Sequence, residues 1–270
     1  MLKPFFEKEK IEYFTELSIG DVVIWDEKKF SRMEEEIGKV KSVFVFLIPY
    51  DFGQITTNLS VYAQVRDYHL YIRELSERFR GYLERENIHI KFKGFADSSP
   101  LAERDAALSA GLCVLGKNGL CINEKYGSFF FIGAFFLTEE ISPVKKAEKK
   151  NCISCGRCEG ACPTGAIFDR ERKKCLSLLS QKKSLTEEEE VLLEKAECKW
   201  GCDLCQNVCP MNENREKTPI SFFQTGHISH LSQETITLPK KEFLSRAFSW
   251  RGREILRRNL GINKEKNEKS

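Results

Sequence analysis

Two cysteine-rich runs constrain the fold of this 270-residue chain more than any other feature of its sequence. The first, "NCISCGRCEGACPTGAI", places four cysteines within eleven residues, and the second, "CKWGCDLCQNVCPMN", begins at Cys198. Two-residue gaps let one loop present three thiolates to a single metal centre, and a proline after the last cysteine is typical of bacterial ferredoxins. We therefore expect a small separate module whose folding depends on its metal.

The cysteine spacing predicts two 4Fe-4S clusters but leaves one ligand open. In a ferredoxin the fourth cysteine of each run binds the other cluster. The first cluster would then take Cys152, Cys155, Cys158 and Cys209, and the second would take Cys162, Cys202 and Cys205. The second cluster still needs a thiolate from Cys175 or Cys198, and spacing does not choose between them. Zinc is the alternative metal, although zinc sites usually pair two cysteines with a distant second pair.

The composition indicates where such a protein works. Hydrophobic residues make up 41% and charged residues 31% of the chain, as in soluble globular proteins. No apolar run approaches the ~20 residues that span a bilayer. The first residues, "MLKPFFEKEKIEYF", lack the apolar core of a secretory signal. We expect a cytosolic protein without membrane association. In that compartment, a set of eleven cysteines indicates metal ligands rather than disulfides.

Positive charge is concentrated near the C-terminal end. Residues 239–270 contain ten Lys or Arg against four Glu, whereas the whole chain has a net charge of only +3. Such a segment suits a polyanion, and nucleic acid first. A solvated helix followed by a frayed tail explains the same charges equally well.

Hydrophobic patterning predicts an α/β domain, with a sheet covered by helices, ahead of the cysteine runs. The run "SVFVFLIP" (42–49) predicts a strand buried on both faces, and "HIKFKGF", "LCVLG", "GLCIN" and "SFFFIGAFFL" predict further strands. Helices are expected over 61–86, from Ser99 and Pro100 to Gly111, and over 240–259. We draw the domains at 1–145, 146–215 and 216–270.

The motifs together resemble those of the epoxyqueuosine reductase family. They are, in chain order, "YAQVRDYH", "ADSSPLAERDAALSAGLCVLGKNGL", "GSFFFIG", "CISCGRCEGACPTGAI", "KCLSLL", "GCDLCQNVCPMN" and "EFLSRAF...LRRNLGI". The resemblance implies a cobalamin-dependent enzyme that reduces the epoxide of epoxyqueuosine in a tRNA anticodon loop to the alkene of queuosine. It also implies a cobalamin-binding domain similar in architecture to reductive dehalogenases and flavin nitroreductases.

The resemblance also implies roles for single residues. Asp97, which opens a D-x-x-P-x-x-E pattern, matches the family's proton donor, and Glu103 and Arg104 would pair or position. The residues that match cofactor-facing segments are Lys117, Asn118, Gly127, Ser128 and Ser177. The family's cysteine in "KCLSLL" favours Cys175 as the missing cluster ligand and leaves Cys198 as a spare thiol. Cys113 and Cys121 lie in apolar strands and are expected to be small core residues.

The implied partners are a tRNA with a queuosine-type anticodon loop and a low-potential electron donor, and we expect a monomer. Longer family members continue into HEAT-like helical repeats, which we expect this shorter form to lack. Lys240, Lys241, Arg246, Arg251, Arg253, Arg257 and Arg258 could still supply phosphate contacts. Two alternatives are a corrinoid reductase of a small molecule and an electron-transfer protein that activates the corrinoid of a partner.

Overall fold

A computed structural model describes residues 1–53 and 57–261 of the chain. The contacts divide the chain into two compact units, each assembled from separate stretches of sequence. Unit 1 comprises residues 1–52, 68–155 and 210–224, and unit 2 comprises 53–67, 156–209 and 225–270. Within the described residues, no helix is both long and apolar enough to cross a bilayer. The domain boundaries drawn from the sequence stay a prediction.

Unit 1 contains six strands. They are β1 (Phe14–Ser18), β2 (Ser42–Pro49), β3 (Phe92–Ala96), β4 (Val114–Leu115), β5 (Cys121–Ile122) and β6 (Phe130–Leu137). Four of them form a sheet that is antiparallel throughout, with strand order β1-β2-β6-β3. The other two, β4 and β5, pair as a short antiparallel hairpin. The mixed helix and sheet architecture confirms the predicted fold class.

Helices fall in both units. Those of unit 1 are α1 (Lys3–Lys8), α2 (Glu27–Ile37), α4 (Tyr68–Arg85) and α5 (Glu103–Ser109). Those of unit 2 are α3 (Val61–Gln64), α6 (Arg157–Gly160), α7 (Leu176–Leu179), α8 (Glu187–Lys195), α9 (Leu204–Asn207), α10 (Gln233–Thr237), α11 (Lys240–Phe243) and α12 (Arg253–Asn259). Short 3-10 turns lie at Ile19–Asp21, Arg172–Lys174, Pro210–Asn212, Ser221–Phe223 and Ser249–Arg251.

The strand β2 is buried on both faces, as its continuous apolar sequence predicts. One face contributes Val43, Val45 and Leu47 to a core that also receives side chains from α2 and α5. On the other face, Phe44 and Phe46 pack against aromatic rings of α1 and β6. Burying a side chain of this size stabilises the fold by about 1.5–3 kcal/mol relative to exposing it. The sheet is therefore covered by helices on both sides.

The prediction of one helix over residues 61–86 is wrong. The backbone leaves the helical conformation at Val65, so that α3 and α4 are separate helices. At the break, the backbones of Arg66 and Arg246 form an isolated antiparallel β-bridge, and the Asp67 amide donates to the Ser245 carbonyl at 2.8 Å. Hydrogen bonds to a distant segment thus replace those of a helix.

The prediction of one helix over residues 240–259 is also wrong. The helices α11 and α12 are separated by a 3-10 turn, after which Gly252 adopts a φ of +80°. A glycine reaches this left-handed region without steric cost and ends the turn. Around this segment, Phe243, Phe248 and Leu256 join the buried core of unit 2 with Trp200.

The helix expected to begin at Ser99 begins at Glu103 instead, with Ala102 at its N-cap and no side-chain cap. The Ser99 hydroxyl contacts the Leu101 backbone rather than the end of the helix. Residues 100–102 pair with the backbone of residues 23–26, which keeps them extended. The helix ends close to the predicted Gly111, which has a φ of +71°.

Candidate functional site

Asp97 lies at the end of β3 with its side chain exposed to solvent. Its φ of +62° is in the left-handed region, which an aspartate adopts more readily than most residues but still at a cost. Two side chains hold it there. The Tyr68 hydroxyl donates to Asp97 Oδ2 at 2.8 Å, and the Asp97 amide donates to Glu103 Oε2 at 2.9 Å. The Asp97 carboxylate is thus held in place and open to solvent.

Tyr68 itself is held by ring stacking. It is buried, and its ring stacks on that of Phe131 with centroids 4.0 Å apart. The motif "YAQVRDYH" contains Tyr68, but the sequence alone indicates no role for this residue. Only its place at the first residue of α4, facing the Asp97 loop, identifies it as a partner of the acid.

Glu103 is the second carboxyl group of this site. Burial raises the pKa of Glu103 to about 7, and the Asp97 carboxylate adds to the rise. Hydrogen bonds from Ser99 and from the Asp97 amide oppose it. Glu103 therefore gains and loses its proton near neutral pH. Its contact with the Asp97 backbone agrees with the positioning role implied by the resemblance.

The next residue, Arg104, connects α5 to the turn between β4 and β5. Its guanidinium Nη1 donates to the Gly119 carbonyl at 2.9 Å. The turn is closed by two backbone hydrogen bonds between Gly116 and residues 119 and 120. Lys117 and Asn118, both expected to face a cofactor, occupy its tip, where Lys117 is exposed. The Asp97 loop and this tip are therefore joined through consecutive residues of one short helix.

The same turn holds the first cysteine of the cluster segment. The Lys117 amide donates to Cys152 Sγ at 3.3 Å, and the Cys152 amide donates to the Leu115 carbonyl at 2.9 Å. An N–H to sulfur hydrogen bond stabilises a thiolate and is one of the means by which a protein sets the potential of a bound cluster. A residue predicted for cofactor binding thus contacts a predicted cluster ligand through its backbone.

Gly127 and Ser128 contact Asn212, the last residue of the second cysteine run. The Ser128 amide donates to Asn212 Oδ1 at 2.8 Å, and Asn212 Nδ2 donates to the Ser128 hydroxyl at 3.0 Å. Asn212 lies so close to Gly127 that any side chain at 127 would collide with it, and Gly127 has a φ of +56°. The cofactor-binding role of this pair stays a prediction, and Asn212 was not foreseen.

Cys162 lies in a loop that favours its thiolate. Burial acts to raise the pKa of Cys162, but hydrogen bonds from Thr164, Ile167 and Ala166 outweigh it and lower the pKa. The Thr164 hydroxyl lies 3.6 Å from the sulfur. Backbone amides that converge on one sulfur are the surroundings expected of a cluster ligand.

Cys202 lies near two other predicted ligands. Burial raises its pKa to about 11, and Asp203, Cys175 and Cys162 add to the rise through their charge. Those electrostatic interactions indicate that three of the four thiols expected to hold the second cluster lie near one another. Among the described residues, no group of three His, Cys, Asp or Glu side chains is arranged to hold a single metal ion.

Cys198, the alternative ligand, is engaged as a thiol. Its sulfur donates to the Trp200 carbonyl at 3.2 Å, and burial raises its pKa to about 12. Cys175 instead stands at the N-cap of α7 with no side-chain hydrogen bond to that helix. In the same helix, the Ser177 carbonyl accepts from the Ser180 hydroxyl and from Gln181 Nε2. The choice of Cys175 over Cys198 stays a prediction, which the hydrogen bond of the Cys198 thiol favours. The cofactor-binding role of Ser177 also stays a prediction, and these contacts leave it open.

Cys113 and Cys121 are buried in the core of unit 1, as expected of small core residues. A hydrogen bond between the two thiols raises the pKa of Cys113 and lowers that of Cys121. Both are free cysteines.

Two segments of the chain match known protein families. Residues 31–98 match the family described as "Epoxyqueuosine reductase QueG, DUF1730". Residues 151–212 match the family described as a 4Fe-4S double cluster binding domain. The second match covers both cysteine runs and confirms the prediction of two 4Fe-4S clusters.

The epoxyqueuosine reductase of Cyclobacterium marinum is 30% identical to this chain over 215 residues, which are 75% of this chain and 68% of the relative. This chain belongs to the epoxyqueuosine reductase family. The Escherichia coli member is 33% identical over 191 residues, 69% of this chain and 50% of its own length. The chain thus spans about half to two thirds of the length of these curated family members.

Solved structures show the same fold. The epoxyqueuosine reductase from Streptococcus thermophilus matches with a TM-score of 0.74 and 24% identity, over 97% of this chain and 79% of that one. An epoxyqueuosine reductase bound to an epoxyqueuosine-modified tRNA-Tyr stem loop matches with a TM-score of 0.73 and 21% identity, over 96% and 80%. The catabolic reductive dehalogenase NpRdhA shares the fold with a TM-score of 0.51 and 15% identity, over 96% and 36%. These likenesses confirm the predicted architecture.

Proposed function

We propose that this protein is a cobalamin-dependent iron-sulfur reductase that converts epoxyqueuosine in tRNA to queuosine. The observation that carries the proposal is the exposed Asp97 carboxylate, held by Tyr68 and Glu103 within a chain of this family. Through Arg104 and the turn at Gly119, the same loop is linked to the turn that contacts Cys152. The loop of the proposed acid is thus connected, through α5 and this turn, to one predicted ligand of the first cluster.

The overall reaction defines what the residues must do. Removal of the epoxide oxygen to give an alkene takes two electrons and two protons and releases one water. Cobalamin, when bound, supplies a reduced metal centre that delivers the electrons to the substrate. The eight predicted cysteine ligands would hold two 4Fe-4S clusters, which accept electrons one at a time from a low-potential donor.

The side chains present allow such a cofactor at the turn of residues 116–120. Lys117 and Asn118 stand at its tip, and Lys117 is exposed there. Gly127 and Ser128 are joined to Asn212, so they would shape the wall of a pocket rather than donate free groups. We propose Lys117 and Asn118 as the residues that contact the cofactor directly.

Asp97 would protonate the departing oxygen. A general acid must reach the leaving group and present its proton in a fixed direction. The Tyr68 hydroxyl occupies one carboxylate oxygen, Oδ2, and so restricts the rotation of the Asp97 side chain. Glu103 holds the backbone of the same residue. In the protonated acid, Oδ1 would carry the proton and would face a bound substrate, because Oδ2 accepts from Tyr68.

A tRNA would meet fewer free cations than the sequence suggests. Arg246 is buried, Arg253 donates to the Leu238 carbonyl, and Arg258 donates to the Lys182 carbonyl. These arginines stabilise unit 2. Lys240 and Lys241 are exposed, and Trp250 is 60% exposed with the Arg251 guanidinium 3.8 Å from its ring centroid. We propose that Lys240, Lys241 and the Trp250–Arg251 pair form the tRNA contact of unit 2. The basic residues of 262–270 lie outside the described residues.

The decisive experiment is conversion of the modified base. The protein, purified without oxygen and supplied with cobalamin and a strong reductant, should form queuosine from epoxyqueuosine-containing tRNA, measured by mass spectrometry of the digested nucleosides. Asp97→Asn should abolish conversion while iron content and cobalamin binding stay unchanged. Conversion of the free nucleoside but not of the tRNA would favour a small-molecule reductase instead.

Cobalamin binding and cluster reduction with no conversion of either substrate would contradict the proposal and favour an electron-transfer protein. Three further expectations accompany it as predictions: a monomer, a cytosolic location and a low-potential electron donor. Sedimentation of the cluster-loaded protein would measure the first.

A further inference from the structure

Residues 23–29, which we call the N-terminal clamp, contact the loop that carries Asp97. The Trp25 amide donates to the Pro100 carbonyl at 2.9 Å, and the Ala102 amide donates to the Val23 carbonyl at 2.9 Å. Between these contacts, Ile24 and Leu101 form an antiparallel bridge. The clamp therefore pairs with residues 100–102 as a short strand would.

Two side chains of the clamp extend this contact towards Asp97. Trp25 Nε1 donates to the Ser99 carbonyl at 3.1 Å, and the Lys29 ammonium donates to the Ser98 carbonyl. Together with the backbone contact at Pro100, donors from the clamp occupy the carbonyls of the three residues that follow Asp97. Each such hydrogen bond restrains one peptide unit of the loop.

Burial does not explain why Trp25 is there. Its side chain is 64% exposed, and its indole N–H has the Ser99 carbonyl as acceptor. A tryptophan that served only the core would be covered by apolar neighbours. What Trp25 contributes in this structure is a hydrogen bond to the loop.

The clamp is itself fixed to the core of unit 1. The Asp26 side chain accepts from the Lys29 amide at 2.9 Å and so caps α2. The same helix buries Met33 and Ile37 against the sheet. Packed secondary structure therefore resists a displacement of the loop.

We propose that Trp25 and Lys29 are positioning residues that keep the Asp97 carboxylate in its reactive place. Asp97 has a φ of +62°, a conformation that costs free energy and persists only when its surroundings hold it. The clamp supplies that restraint through the three residues that follow Asp97, whereas Tyr68 and Glu103 contact Asp97 itself. The family match begins at residue 31, so the restraint comes from outside the matched segment.

The inference rests on the proposed function for its effect on turnover, but not for its effect on the loop. The test compares Trp25→Phe, Trp25→Leu and Lys29→Met in the cluster-loaded whole chain. Hydrogen exchange followed by mass spectrometry reports on residues 96–103, and single-turnover conversion of modified tRNA reports on chemistry. The Tyr13→Phe variant is the matched control, since it also removes one exposed side-chain hydrogen bond of 3.1 Å in unit 1.

We expect the loop to exchange about 3- to 10-fold faster in all three variants, because one hydrogen bond to a carbonyl is lost in each. The rate constant of conversion should fall by a similar factor, with unchanged KM for tRNA and unchanged iron content. Tyr13→Phe should match the natural protein in both measurements.

Two results would overturn the inference. One is normal loop exchange and normal turnover in Trp25→Phe and Lys29→Met. The other is a normal Trp25→Phe with a raised KM in Trp25→Leu, which would show that the indole ring contacts the substrate. The natural protein could convert no substrate while loop exchange still rises in the variants. In that case the proposed function fails, but the restraint of the Asp97 loop by the N-terminal clamp is confirmed.

Discussion

Asp97 owes its place to Tyr68 and Glu103, which act on different parts of the residue. Tyr68 bonds the carboxylate, and Glu103 bonds the backbone amide. The two contacts can therefore be tested separately. The hydrogen bond of 2.8 Å restricts the direction of the Asp97 side chain, and the bond of 2.9 Å restrains its backbone.

Tyr68→Phe should slow conversion without unfolding the site. The variant keeps the ring that stacks on Phe131 and removes only the hydroxyl that bonds Asp97. Loss of one hydrogen bond to a charged group is worth about 1.5–3 kcal/mol, so we expect conversion to fall by about 10- to 100-fold. Single-turnover rates measure the loss of conversion. Tyr82→Phe is the control, because it removes a hydroxyl that donates to the Met1 carbonyl. Equal rates in Tyr68→Phe and the natural protein would contradict the assignment.

Glu103 should make stability depend on pH near neutrality. Its pKa is about 7 in the folded protein and lower when the chain is unfolded, so the folded state binds the extra proton between these values. Stability contributed by Glu103 is therefore present at acidic pH and is lost as pH rises towards and through 7. The side chain of Glu103→Gln cannot ionise. The stability of this variant relative to the natural protein should therefore be greater at pH 8 than at pH 5.5.

The measurement is the apparent Tm of both cluster-loaded proteins at the two pH values, without oxygen. The difference in Tm between Glu103→Gln and the natural protein should shift upward from pH 5.5 to 8. Glu124→Gln, at an exposed carboxyl that bonds Tyr13, provides a control for an ordinary surface carboxylate. A difference that does not change with pH would refute the raised pKa.

Short helices and turns place the cysteines, and no long element passes through the cluster segment. Cys175 stands at the N-cap of α7, Cys205 lies in α9, and Cys162 lies in the loop after α6. Such short helices gain little stability of their own. The segment should depend on its clusters for stability, as metal-binding modules of this size do.

Iron analysis distinguishes Cys175 from Cys198 as a ligand. Cys175→Ser should lose about four of eight iron atoms, because the second 4Fe-4S cluster loses a thiolate. Cys198→Ser should keep all of them, since Cys198 Sγ donates to the Trp200 carbonyl. Iron content and the electron paramagnetic resonance spectrum of the reduced protein measure both. The reverse pattern would exchange the two assignments.

The surface of unit 2 that we propose for tRNA offers fewer exposed cations than the charge of its sequence suggests. The exposed Trp250 ring stacks with the guanidinium of the half-buried Arg251, whereas Arg246, Arg253 and Arg258 donate to backbone carbonyls inside unit 2. Nucleic-acid bases stack readily on exposed aromatic rings beside cations.

Trp250→Ala should therefore weaken tRNA binding by about 5- to 150-fold, which corresponds to the roughly 1–3 kcal/mol found for a base stacked on an aromatic residue. Fluorescence anisotropy with a labelled anticodon stem loop measures the affinity, and the cluster content should stay constant. Trp250→Phe should restore most of the affinity, and Leu244→Ala, at another exposed apolar residue, is the matched control. Full affinity in Trp250→Ala would remove this surface from the proposal.

Features that depend on a local pattern of residues could be predicted from the sequence. Cysteine spacing predicted the clusters, continuous hydrophobicity predicted β2, and the motif around Asp97 indicated the family, because each is a property of a few consecutive residues. The break at residues 65–67 and the hydrogen bonds made by Tyr68, Trp25 and Asn212 emerge only in the tertiary structure. Each of these arises from partners far apart in the chain. Hydrophobic periodicity records which face of an element is buried, but not which distant backbone group takes its hydrogen bond.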